Sequence, residues 1–241
     1  MKILIVSDIH GNWPALEAVL AAEPGFDQVL CLGDLVNYGP QPAECARWAM
    51  SLGRGSRVIQ GNHDRAFGCN EHPQCSPAYQ AAAEAVQAAT SHLLEAEMKR
   101  FLAGLRPLQR FEWAGARCVA CHATPGDPRY RYLGKESARS LWESEVARAG
   151  HPDFLFLGHT HQPMKAQFER TVVVNPGSVG QPKDGDPRAA YAVWEDGRLT
   201  LRRASYSMEE TIRAFSGLAL EPKVVQGLSE TLRRGGSPGK M

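Results

Sequence analysis

Residues 2–6, Lys-Ile-Leu-Ile-Val, are almost wholly aliphatic and barely alternate, which predicts a strand buried on both faces. This run feeds into the polar stretch Ser7-Asp8-Ile9-His10-Gly11-Asn12. Pro14 then opens a helix with Leu16, Val19 and Leu20 on one side, closed near Pro24-Gly25. The unit recurs twice. A strand over 28–32 runs into Gly33-Asp34 and is followed by a short helix from Pro42 through Trp48; a strand over 57–60 runs into Gly61-Asn62-His63-Asp64. Strand, polar turn and helix in this order predict βαβ crossovers and a largely parallel sheet.

The middle of the chain changes period. Ala82, Ala85, Val86, Ala89 and Leu93 follow Ser76-Pro77 at helical spacing, and a second helical piece over 97–105 stops at Pro107. Beyond Phe111 the pattern is mostly β: strands over 117–122, 154–157, 165–168 and 172–174, with a helix over 141–149 between them. Residues 191–194 and 198–204 predict a hairpin across Asp196-Gly197. With no internal repeat and no low-complexity linker, the expectation is one α/β domain over 1–241. The Gly-rich, basic segment 233–241 is expected to fray.

Composition narrows the function classes. The 241 residues carry 27 basic and 26 acidic side chains, so nothing in the charge balance demands a long nucleic acid as partner. No stretch approaches the roughly 20 consecutive apolar residues that span a bilayer. The short apolar start reads as a strand, not a leader, and the expectation is a cytoplasmic protein. Cys31, Cys45, Cys69, Cys75, Cys118 and Cys121 are scattered, unlike a disulfide framework. Cys118 and Cys121 form a C-x-x-C, but no second such pair exists to complete a zinc ribbon. In a strand, positions three apart face opposite sides, so packing is the expected role of both thiols.

The polar residues that end the strands carry the chemistry. Asp8 and His10 follow the first strand, Asp34 the second, Asn62 and His63 the third; His122 ends a later strand and Gly158-His159-Thr160-His161 another. Five of the eight histidines lie at these positions. In α/β sheets ligands bind beyond the carboxyl ends of the strands, so these groups can converge on one edge. Two carboxylates, a carboxamide and several imidazoles, with no thiolate, suit first-row metals such as Mn, Fe, Co, Ni or Zn.

The ordered blocks D-I-H (8 to 10), G-D (33 to 34), G-N-H-D (61 to 64), a lone His122 and G-H-T-H (158 to 161) resemble the calcineurin-like metallophosphoesterase superfamily. Asn175-Pro176-Gly177-Ser178 and the run from Gly33 to Pro40 are similar to its small prokaryotic branch of YfcE-like phosphodiesterases. The resemblance implies two mixed β-sheets packed as a sandwich and flanked by helices, a four-layer αββα fold. It implies two divalent or mixed-valence transition-metal ions, with Mn expected and Fe, Ni, Co or Zn as alternatives. Asp8, His10 and His161 would hold the first ion, Asn62, His122 and His159 the second, and Asp34 would bridge them. A hydroxide between the ions would attack phosphorus in line. His63 would then donate to the phosphoryl or leaving-group oxygen, with Asp64 orienting its ring. The substrate would be a small phosphate ester, a phosphodiester before a monoester, with a nucleotide among the candidates. The alternative is a scaffold that keeps the fold and loses turnover, although such a change usually leaves gaps in the ligand set.

Other features have plainer readings. Asn12 and Asn37 could reach a bound phosphate or simply form turns. The segment Asp127-Pro128-Arg129-Tyr130-Arg131-Tyr132 could bind a phosphate or stack a base, or be a solvated loop. Asn175-Pro176-Gly177-Ser178 is a turn by its own chemistry. His72, His92 and His151 have no partner that the sequence identifies.

Overall fold

A computed structural model describes residues 1–236, so the final part of the expected frayed tail, 237–241, lies outside the described residues. Two five-stranded sheets stack face to face. The first is built from β1 (Lys2–Val6), β2 (Gln28–Cys31), β3 (Arg57–Val58), β9 (Ala189–Glu195) and β10 (Arg198–Ala204), in the order β10-β9-β1-β2-β3. The second contains β4 (Leu108–Trp113), β5 (Ala116–Cys121), β6 (Phe154–Phe156), β7 (Met164–Phe168) and β8 (Thr171–Asn175), in the order β4-β5-β6-β8-β7. Both are mixed. β1, β2 and β3 run parallel, as do β5, β6 and β8, while antiparallel strands complete each sheet.

The unbroken apolar runs are explained by this stacking. Ile3 and Ile5 of β1 and Leu30 of β2 face Trp113, Cys118, Ala120 and Phe156 of the second sheet. Their neighbours Leu4, Val6, Val29 and Cys31 point the other way. There they meet Leu16 and Val19 of α1 (Trp13–Ala22), Cys45 and Ala46 of α2 (Pro42–Met50), and Met98 and Leu102 of α5 (Ala96–Gly104). The far face of the second sheet, with Val119, Cys121, Leu155 and Val173, packs on Trp142, Val146 and Ala149 of α6 (Arg139–Ala149). Helix, sheet, sheet, helix is the expected four-layer order, and burial on both faces is why the strands show no period of two. Cys118 and Cys121 fall in different layers, and all six thiols are unpaired.

Several elements differ from the sequence expectation. Asn62–Cys69 forms a helix, α3, where only a polar turn was expected. Asp64, in its first turn, accepts the Gly61 N–H at 3.0 Å, and Asn70 closes it in the left-handed region. A carboxylate at the third helical position is a start signal that the chemistry-bearing G-N-H-D block concealed. The strand β4 was not expected before Phe111; half-buried positions and an intervening arginine and glutamate blur its period. α4 (Pro77–Thr90) begins at Pro77, but Ser76 makes no side-chain cap. At the carboxyl end, α7 (Met208–Ala214) and α8 (Pro222–Arg234) are regular helices. Arg233 and Arg234 therefore end a helix rather than fray, because Gly235 at φ 61° supplies the left-handed closing residue. The hairpin across Asp196-Gly197 forms as expected, with both turn residues at positive φ. No described helix is long and apolar enough to cross a membrane.

Candidate metal centre

The blocks that end β1, β2 and β6 curl back on themselves. Asp8, His10, Asp34, Asn37, Tyr38, His159 and His161 all have positive φ, seven of the twelve such non-glycine residues among those described. Each left-handed residue costs on the order of 1–3 kcal/mol and persists only where its surroundings hold it. Here the turns hold one another: Asp8 N–H donates to Gly33 O at 3.0 Å, His10 N–H to Asp34 O at 2.9 Å, Gly158 N–H to His122 O at 2.8 Å and Gly180 N–H to Asp8 O at 3.0 Å. Close backbone approach makes this possible. A Cβ on Gly61 would lie 2.0 Å from Asp34 Oδ1 and 2.5 Å from its amide nitrogen.

The result is a dense polar nest. Asp8, His10 and His161 offer ligand atoms within 4.8 Å of one another, and so do Asp34, His122 and His159. All six are buried. Asp34 Oδ2 lies 3.2 Å from His122 Nε2 and 3.8 Å from His10 Nε2, so it faces both groups. Asn62 turns its Oδ1 to within 3.1 Å of His122 Nε2, while its amide nitrogen donates to Gln74 O at 2.8 Å.

Three imidazoles are fixed from behind. His10 Nδ1 lies 3.1 Å from Val36 O, His122 Nδ1 2.7 Å from Leu32 O, and His161 Nδ1 2.6 Å from Gln181 O. A carbonyl can only accept, so each ring holds a proton on Nδ1 and turns its Nε2 inward. His159 is reversed: its Nε2 faces Tyr130 O at 3.1 Å, which leaves Nδ1 for the centre. Tyr132 stacks on the His159 ring with centroids 3.9 Å apart. His10 Nε2 and His161 Nε2 stand 3.1 Å apart, an approach of two lone pairs that only a shared proton or a cation relieves. Asp8 Oδ1 lies 3.3 Å from His161 Nε2 and has no hydrogen-bond donor, although it is buried. An orphaned carboxylate oxygen facing inward lone pairs is what a metal site presents without its ion, so the residues fit a cation in each group.

The electrostatics agree. Burial alone would raise the Asp8 carboxyl, but the neighbouring imidazoles of His161 and then His122 hold it well below the usual range. Burial lowers His63 to about 4 and His159 to about 3. His10 is also held well below its ordinary value, by burial and then by His161. His122 goes the other way: the Asp34 carboxylate overcomes burial and raises it to about 9. Most rings are therefore neutral and available as ligands, and His122 would exchange a proton for an ion.

His63 and its neighbours required the structure. Asp64 was expected to orient the His63 ring, yet among the described residues no hydrogen bond joins the two. Its two oxygens accept the backbone N–H groups of Asp34 at 2.8 Å, Leu35 at 2.8 Å and Gly61 at 3.0 Å. Burial, then the Asp34 charge, push its carboxyl up to about 7, while the Gly61 and Leu35 amides pull it down. Asp64 thus builds the turn that carries Asp34. Asp64→Asn turns an acceptor into a donor facing these amides and is expected to cost about 2–3 kcal/mol, measured by denaturant unfolding of metal-free protein. A change below about 0.5 kcal/mol would mean the amides find other partners.

The ring of His63 is held by Asn37 instead. Asn37 Oδ1 accepts the Tyr38 N–H at 2.7 Å, which turns its amide nitrogen to donate to His63 Nδ1 at 2.8 Å. Because Nδ1 accepts, neutral His63 carries its proton on Nε2. Asn37 therefore positions His63 rather than standing free as the expected phosphate contact. Asn12 is fully engaged elsewhere. Its oxygen accepts from Ala15 N at 3.3 Å and Thr211 Oγ1 at 2.7 Å, and its nitrogen donates to Gly180 O at 2.9 Å and Tyr206 Oη at 3.0 Å. It caps α1 and ties the site to α7.

The Arg-Tyr segment also turns inward. Arg131 pairs with buried Glu145 at 2.8 Å, and Arg129 donates to Gln60 Oε1 at 2.8 Å. Glu145 further accepts Gly126 N–H at 2.7 Å, so this segment is a clamp that delivers Tyr130 and Tyr132 to His159. His72 and His151 stand apart from the centre, with exposed Glu84 and Glu169 as their nearest acids.

The model for the calcineurin-like phosphoesterase superfamily domain matches residues 1–196. The chain belongs to the calcineurin-like phosphoesterase superfamily. Within it, an uncharacterized protein of Methanocaldococcus jannaschii is 29% identical over 228 residues, covering 86% of this chain and 89% of that one. The phosphodiesterase YfcE of Escherichia coli is 28% identical over 211 residues, covering 83% and 91%. The expected kinship with the YfcE branch is therefore found. A crystal structure of a metallophosphoesterase from Sphaerobacter thermophilus, 29% identical, superposes with a TM-score of 0.79 over 98% of this chain and 99% of that one. The chain thus shares the layered fold of its superfamily.

Proposed function

We propose that the chain hydrolyses small phosphodiesters, and more slowly monoesters, with two divalent transition-metal ions, manganese first among them. The observation that carries this reading is Asp34 Oδ2, which faces an imidazole of each buried group while Asp8 Oδ1 waits without a donor. Asp8, His10 and His161 would hold one ion, Asn62, His122 and His159 the other, and Asp34 both. Bound there, the ions would neutralise phosphoryl charge and supply a water of lowered pKa.

The chain's own residues do the rest. His63 presents Nε2–H beside His10, with ring centroids 5.3 Å apart, and donates it to the phosphoryl or leaving-group oxygen. Tyr38, edge-on to both rings, excludes water from that side. A cavity of about 370 Å³ is flanked by Gln74, Cys75, Tyr130 and Tyr132, the two tyrosines that contact His159, and has room for a small alcohol leaving group such as a nucleoside. Six unpaired thiols suit the reducing cytoplasm as its compartment.

The test is a hydrolysis screen of metal-stripped protein reloaded singly with Mn, Co, Ni, Zn or Mg, against paired aryl phosphate mono- and diesters. Metal-dependent turnover with the diester ahead is the expected result. No turnover with any metal, despite two ions bound per chain, would overturn the reading in favour of a scaffold.

A further inference from the structure

Lys183 was not among the residues that the sequence singled out, because it lies in an aperiodic loop after the Asn175 turn. The structure brings it to the centre. Its Nζ sits 4.1 Å from the Tyr79 ring centroid and 5.9 Å from that of Tyr38. The Tyr38 ring in turn lies 4.8 Å from the His63 ring and 4.9 Å from that of His10. The loop is rigidly anchored: Gln181 O fixes His161, Gln181 N–H donates to Ser178 Oγ at 2.8 Å, and Ser178 Oγ donates to Asp8 O at 2.7 Å.

Lys183 is half-buried, yet among the described residues its ammonium makes no hydrogen bond and no ion pair. The two acids of its own loop are engaged elsewhere, Asp184 with Arg203 and Asp186 with Arg188. A cation drawn partly out of water without a paired carboxylate loses hydration, and cation–π contact offsets only part of that loss. Burial lowers this lysine to about 8, while Asp8, Cys75 and Asp34, acting at a distance, hold it up. With bound cations neutralising those carboxylates, an incoming anion would balance its charge.

We infer that Lys183 is an anion-binding residue of the substrate site, holding non-bridging phosphate oxygens and favouring dianionic phosphate groups over monoanionic diesters. The inference rests on the phosphoesterase reading above and deepens it. A diester brings one negative charge to the centre and a monoester two, so a cation outside the ligand set weights the balance towards the second. Turnover of monoesters, and of diesters with a further phosphate beside the reacting one, would depend on it.

The experiment compares wild type, Lys183→Met and Lys183→Arg, each loaded with the same metal. Inorganic phosphate binding is followed by calorimetry, and kcat/KM is measured for p-nitrophenyl phosphate and bis(p-nitrophenyl) phosphate. Lys183→Met keeps the contact with the tyrosines and removes the charge. It is expected to weaken phosphate binding by about tenfold or more and to cut monoester kcat/KM by at least as much, with the diester changing by no more than about threefold. Lys183→Arg should stay near wild type, with metal content equal in all three. Phosphate affinity unchanged in Lys183→Met would overturn the inference and leave the lysine a packing residue. Wild type that binds phosphate through Lys183 but turns over neither ester would sustain the inference and overturn the phosphoesterase reading instead.

Discussion

Asp34→Ala is expected to lower hydrolysis at least about a thousandfold and to reduce the metal content from two ions per chain to one or none. Asp34 Oδ2 faces one imidazole of each group, 3.2 Å from His122 Nε2 and 3.8 Å from His10 Nε2, and Asp8 Oδ1 makes a comparable approach, 3.3 Å from His161 Nε2 and 3.9 Å from His122 Nε2. The second oxygen of Asp34 accepts the His63 N–H at 2.9 Å, so the same residue also fixes the start of α3. Removing it withdraws a negative charge from a nest of four imidazoles and leaves a buried amide without an acceptor. Lewis-acid stabilisation is worth several kcal/mol, and each 1.36 kcal/mol is tenfold in rate, which gives the expected scale. Metal analysis with kinetics checks the result, and Asp34→Asn, which retains an acceptor for His63 N–H, separates lost ligation from lost folding. A variant that kept both ions and full rate would remove Asp34 from the bridging position. In the metal-free protein the same substitution should lower the His122 pKa, since the Asp34 carboxylate is what raises it to about 9. Ring proton shifts followed by NMR read this independently of turnover.

Much of the centre was legible because ligand chemistry is carried by residue type at strand ends. Asp8, His10, Asp34, Asn62, His122, His159 and His161 were all named from polar groups that follow buried strands, and the structure gathers all seven. What the sequence could not convey was which atom of each residue points where. The Asp64 assignment failed for that reason: adjacency to His63 suggested contact, but in a helix neighbouring side chains diverge, and the carboxylate turns back to three backbone amides. Asn37 reaches the ring from another strand end, a pairing that only the crossover between the β2 and β3 turns creates. Lys183 and Tyr132 arrive on loops with no period at all, so their meeting with Tyr79 and His159 has no local signal. The fold was readable where strands are continuous and buried, and opaque where a half-buried strand such as β4 mixes its faces.

His63→Ala isolates the proton donor from the ions. It should retain both metals, because among the described residues no backbone carbonyl or carboxylate directs the His63 ring into either ligand group, and its rate should fall about 10²–10⁴-fold, the range expected when a positioned acid is removed. The size of the fall depends on what receives the proton. If Nε2–H goes to the leaving-group oxygen, an ester of a strongly acidic phenol should lose little, since its anion departs unaided, and an alkyl ester should lose the most. If the proton instead steadies a non-bridging phosphoryl oxygen, both esters should lose alike. Asn37→Ala refines the test without touching the donor itself. Without the amide that occupies Nδ1, the ring can carry its proton on either nitrogen and can swing, so a loss intermediate between wild type and His63→Ala is expected. Equal rates for Asn37→Ala and wild type would mean that the packing of Tyr38 and His10 alone, with ring centroids 4.8 and 5.3 Å from His63, is enough to hold it. Loss of metal in His63→Ala would show instead that the residue supports the ligands, and the proton-donor role would then fall.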